Sequence, residues 1–233
     1  MPKDPLVLVP GLGCTAALFE PQIARLSPER SILVADHTRD ESIAAIAERL
    51  LETAPERFAL AGLSMGGYVA LEVLRQAPAR VARLALLDTS ARPDTDEARA
   101  NRRNLIQLAK QGHLDEIHAA LWPRLVAPAH QADERLEEIV RRMLQETGPD
   151  AFIRQQTAIM GRADSRPFLP STEIPTLVLV GAEDLITPQE IAREMAEAIE
   201  WASLVVVPGS GHLSSLEAPE AVGEALREWL SRG

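Results

Sequence analysis

Six short apolar runs recur along the chain, and most of the segments between them carry apolar residues at helical spacing. The runs are residues 6–9, 31–35, 58–63, 81–87, 176–180 and 204–207, each closed by glycine, proline or polar residues. Continuous apolar runs of this length predict strands buried on both faces. After residue 40, Ile43, Ile46, Ala47, Leu50 and Leu51 follow the spacing of an amphipathic helix. Residues 68–76 place Val69, Val73 and Leu74 on one helical face before Pro78 stops the helix. A weaker helix is expected over 17–26, and a final helix carries Val222, Ala225, Leu226 and Trp229 on one face. Thr187-Pro188-Gln189-Glu190 reads as a capping box with proline at the first helical position, opening a helix through Ile191, Met195 and Ile199. Strand and helix therefore alternate. Such alternation predicts a parallel sheet with right-handed crossovers and helices on both faces.

The pattern changes between residues 91 and 174, where no strand signal appears and at least three helical segments do. One of them carries Leu136, Ile139, Val140, Met143 and Leu144 in helical register, and residues 162–171 read as a return loop. The expected organisation is an α/β core of residues 1–90 and 175–233 interrupted by a helical cap of 91–174.

Composition narrows the class of partner more than the fold. Apolar residues make up 46% and charged residues 25% of 233, the balance of an ordinary soluble globular protein. A net charge of −10 disfavours a nucleic-acid backbone or an anionic membrane, since both reward Lys and Arg. The single cysteine, Cys14, excludes an intrachain disulfide and is expected to pack rather than react. With no basic region followed by an apolar run at the N-terminus and no stretch long enough to span a bilayer, the expected location is the cytoplasm.

The chemistry concentrates at Gly62-Leu63-Ser64-Met65-Gly66, which joins an expected buried strand to an expected helix. A serine at that junction requires a sharp turn, and glycines two before and two after it avoid the collision of side chains that the turn would cause. This is the nucleophile-elbow signature in its required context of strand before and helix after. A serine hydroxyl is a weak nucleophile until a base takes its proton, and the base works best when a carboxylate orients it. Asp184 follows one expected strand and His212 another, so both fall on the same sheet edge as Ser64, in the chain order Ser, Asp, His. Asp88 also ends a strand, and a hydrogen bond to its own loop is expected of it; Glu183 is expected to be solvated. His37 sits at a strand end, as a candidate for the pocket wall or as an ordinary loop histidine. Trp122 is a candidate for the acyl pocket, with the core of the cap as the equal alternative. His113, His118 and His130 share no metal-ligand spacing and are expected on the surface of the cap. The glycines at 11 and 13 match neither a dinucleotide fingerprint nor a P-loop, so no nucleotide site is implied.

Taken together, Gly11-Leu12-Gly13, the Gly62 to Gly66 elbow, Gly181-x-x-Asp184-x-x-x-Pro188, and Gly211-His212 followed by Glu217-x-Pro219 resemble the alpha/beta-hydrolase superfamily in its small bacterial carboxylesterase-like branch. The resemblance covers essentially the whole chain. It implies Ser64 as nucleophile, His212 as general base and acid, Asp184 as orienting carboxylate, and the backbone amides of Leu12 and Met65 as an oxyanion hole. It also implies a carboxylic-ester hydrolase acting on small to medium acyl groups with neither metal nor organic cofactor, as a monomer or homodimer. The alternatives are carbon–carbon cleavage, elimination or enol-lactone hydrolysis by the same triad, or a non-catalytic ligand receptor. Relatives that make a cyclohexadiene carboxylate often carry an arginine just after the elbow, where this chain has Tyr68; Arg92, Arg124 and Arg166 are the candidates to bind a carboxylate from the cap, with ordinary exposed arginines as the default reading. Two departures stand out. Pro10 replaces a common histidine, removing a side chain that braces the oxyanion loop. The first strand begins at about Leu6, leaving no room for the usual opening hairpin, so a six-stranded, all-parallel sheet is expected.

Overall fold

The computed structural model describes residues 3–231. Its six strands are β1 (Leu6–Val9), β2 (Ile32–Val34), β3 (Phe58–Leu63), β4 (Val81–Leu87), β5 (Thr176–Gly181) and β6 (Ala202–Val207). They form one sheet in the order β2-β1-β3-β4-β5-β6, and every neighbouring pair is parallel. Among the described residues no strand precedes Leu6, in agreement with the all-parallel expectation.

The continuous apolar runs are explained by burial on both faces. Val7 and Val9 of β1 and Leu60 of β3 enter one core with α2 (Ile43–Thr53), α3 (Met65–Gln76) and α7 (Gln189–Ala198). Leu6, Leu8, Ala59 and Leu63 enter the opposite core with α1 (Glu20–Leu26), the short α8 (Ser214–Glu217) and α9 (Pro219–Ser231). Each fully buried aliphatic side chain contributes about 1.5–3 kcal/mol relative to exposure, so neither face of these strands tolerates polar residues. Three helices, α4 (Asp96–Lys110), α5 (Leu114–Leu125) and α6 (Glu134–Met160), lie between β4 and β5, with α6 broken by non-helical backbone at Gly148.

Local readings differ from the structure in three places. The two edge strands, β2 and β6, are mostly half-buried, because each has a neighbour on one side alone. The expected 17–26 helix starts as a 3-10 turn, Ala16–Phe19, before α1. Thr187 does not cap α7: Pro188 occupies the cap position, and the Thr187 hydroxyl donates instead to Asp184 Oδ2 at 2.8 Å.

From β1 the chain moves outward to β2 and returns to β3 on the other side of β1. Such a reversal opens a crevice at the carboxyl ends of the two central strands. There the packing is set by backbone. A Cβ on Gly62 would lie 2.1 Å from the Gly66 carbonyl oxygen, and one on Gly66 would lie 1.9 Å from the Val9 carbonyl oxygen. The second glycine is thus required by β1 rather than by its elbow partner. Gly62→Ala is expected to cost about 3 kcal/mol or more, a fall in Tm of roughly 6–12 °C at this chain length. Gly161→Ala, whose new Cβ would meet nothing nearer than 3.8 Å, should stay within about 0.5 kcal/mol. Thermal unfolding followed by circular dichroism decides this, and equal melting of the two variants would show that the turn has slack.

Candidate active site

The elbow holds Ser64 at φ 55° and ψ −116°, a left-handed conformation that a non-glycine residue keeps only when its surroundings fix it. They do so from both sides. The Ser64 amide donates to the Leu87 carbonyl of β4 at 2.9 Å, and the Ser64 carbonyl accepts from Thr89 Oγ1 at 2.7 Å. Helix α3 then starts at once, so the Met65 amide is one of the N-terminal donors that have no intrahelical acceptor. The Leu12 amide, in the loop after adjacent β1, donates to no protein acceptor among the described residues.

That loop is braced despite Pro10. His37 Nε2 donates to the Gly11 carbonyl at 2.9 Å, and the Gly13 amide donates to Gln155 Oε1 of α6 at 2.9 Å. Burial lowers the pKa of His37, which keeps its imidazole neutral with the proton on Nε2. His37 therefore stands behind the loop and does not line the cavity. Cys14 is buried, and desolvation pushes its thiol up to about 12, which makes it a packing residue.

Ser64, His212 and Asp184 come together in one hydrogen-bonded line. His212 Nε2 is 2.8 Å from Ser64 Oγ, and His212 Nδ1 is 2.8 Å from Asp184 Oδ2. With Nδ1–H donating to the carboxylate, Nε2 is left to accept the serine proton. Asp184 is held by the Ile186 and Thr187 amides at 2.7 and 2.9 Å and by the Thr187 hydroxyl. Burial pushes its carboxyl up, but the His212 charge and these donors bring it down to about 2. Burial likewise pulls His212 down, and the Asp184 carboxylate more than reverses this, leaving the imidazole above its ordinary value.

Two further carboxyls fix the loops that carry this pair. Asp88 is fully buried; its Oδ1 accepts the Gly181 amide at 2.8 Å and its Oδ2 lies 2.5 Å from Ser214 Oγ. It thus bridges the Asp184 and His212 loops rather than bonding within its own, as the sequence suggested. Burial, reinforced by the Asp184 charge, raises its pKa to about 8. Glu217 accepts the amides of Gly211, Leu213 and Ala127 at 2.7–3.1 Å. The His212 and Leu213 amides also donate to the Leu125 carbonyl at the end of α5.

A cavity of about 510 Å³ opens over Ser64 and His212, within the usual range for small-molecule sites. Leu12, Leu121, Leu144 and Phe152 supply apolar wall. Trp122 does not line it: the indole is buried behind the wall, donating to the Gln131 carbonyl at 3.2 Å, while His118, one turn earlier, faces the cavity. His118 is consequently buried and stacked on Trp122, not on the surface as its neighbour His113 is. Of the three candidate arginines, Arg166 pairs with Asp164 and lies outside the wall; Arg92 reaches the wall but pairs with Glu194, and Arg124 also reaches it. No helix among the described residues is long and apolar enough to cross a membrane.

A doubly wound parallel sheet with a strained serine at its central crevice defines a hydrolase-type scaffold, and comparison with known proteins gives it a family. A model described as the alpha/beta hydrolase family matches residues 6–225, and the chain belongs to that family. It is similar to a thermophilic esterase of Thermogutta terrifontis solved with malate bound: 33% identity, a TM-score of 0.89, and coverage of 97% of this chain and 89% of that one. Among characterised relatives it is 28% identical to the (E)-2-((N-methylformamido)methylene)succinate hydrolase of Acinetobacter baylyi, over 97% of this chain and 90% of that protein. It is equally identical to the pimeloyl-(acyl-carrier protein) methyl ester esterase of Pectobacterium carotovorum, over 94% and 91% of the two chains.

Replacing each buried carboxyl by its amide should separate Asp184 from Asp88. In an NMR titration of the imidazole protons, wild-type His212 should titrate above the usual histidine value. Asp184→Asn removes the anion that raises it and should bring it below that value. Asp88 contributes less to the imidazole than Asp184 does, so Asp88→Asn should lower it by less. An equal fall in both variants would show that Asp88 supports the imidazole as strongly as Asp184 does.

Proposed function

We propose that this protein is a carboxylic-ester hydrolase acting through an acyl-Ser64 intermediate on esters of small to medium acyl groups. The observation that carries the reading is the line from Ser64 Oγ through His212 to Asp184, set at the floor of the cavity. In this reading His212 Nε2 takes the Ser64 proton as Oγ attacks the ester carbonyl. The Leu12 and Met65 amides receive the oxyanion, and loss of one such donor costs about a hundredfold to a thousandfold in rate. The imidazolium, stabilised by Asp184, returns the proton to the leaving alcohol. Water then repeats the sequence on the acyl-enzyme and frees the acid. Residues 91–174 serve as the cap that roofs the cavity, and its Leu121, Leu144 and Phe152 suit an apolar acyl chain. The ester-cleaving names of two similar proteins support the same chemistry.

A second reading, carbon–carbon cleavage or enol-lactone opening by the same residues, draws on one observation. The Arg162 guanidinium lies 4.3 Å from the centre of the Tyr68 ring. A cation thus stands beside the position where some relatives carry an arginine after the elbow.

Hydrolysis of p-nitrophenyl esters from acetyl to decanoyl, with Ser64→Ala as the blank, separates these readings. Rapid multiple turnover on short chains, lost in the variant, is expected. A single burst, or a rate that the variant retains, would overturn the esterase reading.

A further inference from the structure

Away from Ser64 the cavity wall changes from apolar to cationic. Asp94, in the loop after β4, is buried and accepts Arg102 Nε on Oδ2 at 2.7 Å and Arg162 Nη1 on Oδ1 at 2.5 Å. One carboxylate thus meets two guanidiniums, an excess of one positive charge in the cluster; Glu97, the other carboxylate of this part of the wall, is exposed and pairs with neither. The side chains of Arg102 and Arg162 are only 20% and 8% exposed, so solvent screens that excess weakly. Beside them Gln156 is fully buried. Its Oε1 accepts Arg102 Nη1 at 2.8 Å, and because a guanidinium only donates, this bond fixes which end of the amide is which. Gln156 Nε2 is left with no partner among the described residues. Asp94, Arg102, Gln156 and Arg162 all line the same cavity as Ser64 and His212. A purely structural ion pair would balance its charges and satisfy its donors; this cluster does neither, and both its surplus charge and its unpaired N–H ask for an acceptor.

We propose that this wall is a carboxylate subsite, and that the substrate carries an anionic carboxylate remote from the bond that Ser64 attacks. The proposal rests on the ester-hydrolase reading and names its substrate class, a half-ester of a dicarboxylic acid. Gln156 Nε2 donates to one carboxylate oxygen while Arg102 and Arg162 neutralise the charge. Spacing follows from α3. Tyr68 lies one helical turn beyond Ser64, about 6 Å along the axis, and Arg162 stacks on its ring. The separation is on the order of 6–10 Å, which an extended chain spans in about five to eight bonds at about 1.2 Å per bond.

The test compares monomethyl adipate with methyl hexanoate by pH-stat, alongside calorimetric titration of the same protein with adipate and with hexanoate. A carboxylate met by charged and neutral donors should raise kcat/KM for the half-ester about tenfold or more over the neutral ester, mainly through KM. Gln156→Glu keeps the acceptor for Arg102 and sets a like charge against the substrate. It should bring the ratio of the two esters to about one or below, with melting used to confirm that the variant folds. Tighter binding of adipate than hexanoate without turnover of either ester would retain the subsite and overturn the ester reading. Turnover of both esters at equal kcat/KM, with equal binding of the two acids, would overturn the subsite and retain the hydrolase. A preference for the half-ester unchanged in Gln156→Glu would also overturn it.

Discussion

The architecture depends on a three-way backbone contact beneath Ser64. Gly62 at the end of β3 lies against the Gly66 carbonyl, Gly66 lies against the Val9 carbonyl of β1, and Gly67 presses on the Thr89 side chain after β4. Three parallel strands therefore meet the start of one helix with no room for a side chain. This closeness turns the chain sharply enough to hold Ser64 in a left-handed conformation, and it places the Met65 amide beside the loop that follows β1. Ser64, the Met65 amide and the loop that carries Leu12 are brought together by the same packing.

The other half of the site is built on loops, which need to be tied. Asp88 ties the loop of Asp184 to that of His212, and Glu217 ties the backbone on both sides of His212 to Ala127. Leu125 ends α5 and Ala127 follows it, so the segment that carries His212 is tied directly to the helical region between β4 and β5. Arg102 of α4, Gln156 of α6 and Arg162 just beyond α6 also enter the cavity wall, so the chain between β4 and β5 supplies this charge.

Much of this was legible in the sequence, for physical reasons. Strands buried on both faces must be continuously apolar, which made the strands and the parallel sheet readable. The elbow was readable because its geometry admits only glycine at two positions. The line of Ser64, Asp184 and His212 followed from strand ends sharing one edge. What escaped were contacts between segments far apart in the chain. Thr187 looked like a helix cap but serves Asp184, and Asp88 bonds to Gly181 and Ser214 rather than to its own loop. His37 braces Gly11 from outside, doing the work that Pro10 cannot, and it is His118 rather than Trp122 that faces the cavity. In each case a side chain has several partners within reach, and local pattern does not choose among them.

The central claim is that the strained turn presents Ser64 as a nucleophile activated by His212. Its most direct test is reaction with diethyl p-nitrophenyl phosphate, followed by mass spectrometry of the digested protein. The account predicts one equivalent of p-nitrophenol released per chain and a diethylphosphoryl group on the peptide bearing Ser64. Modification at another residue, or none at Ser64, would contradict it.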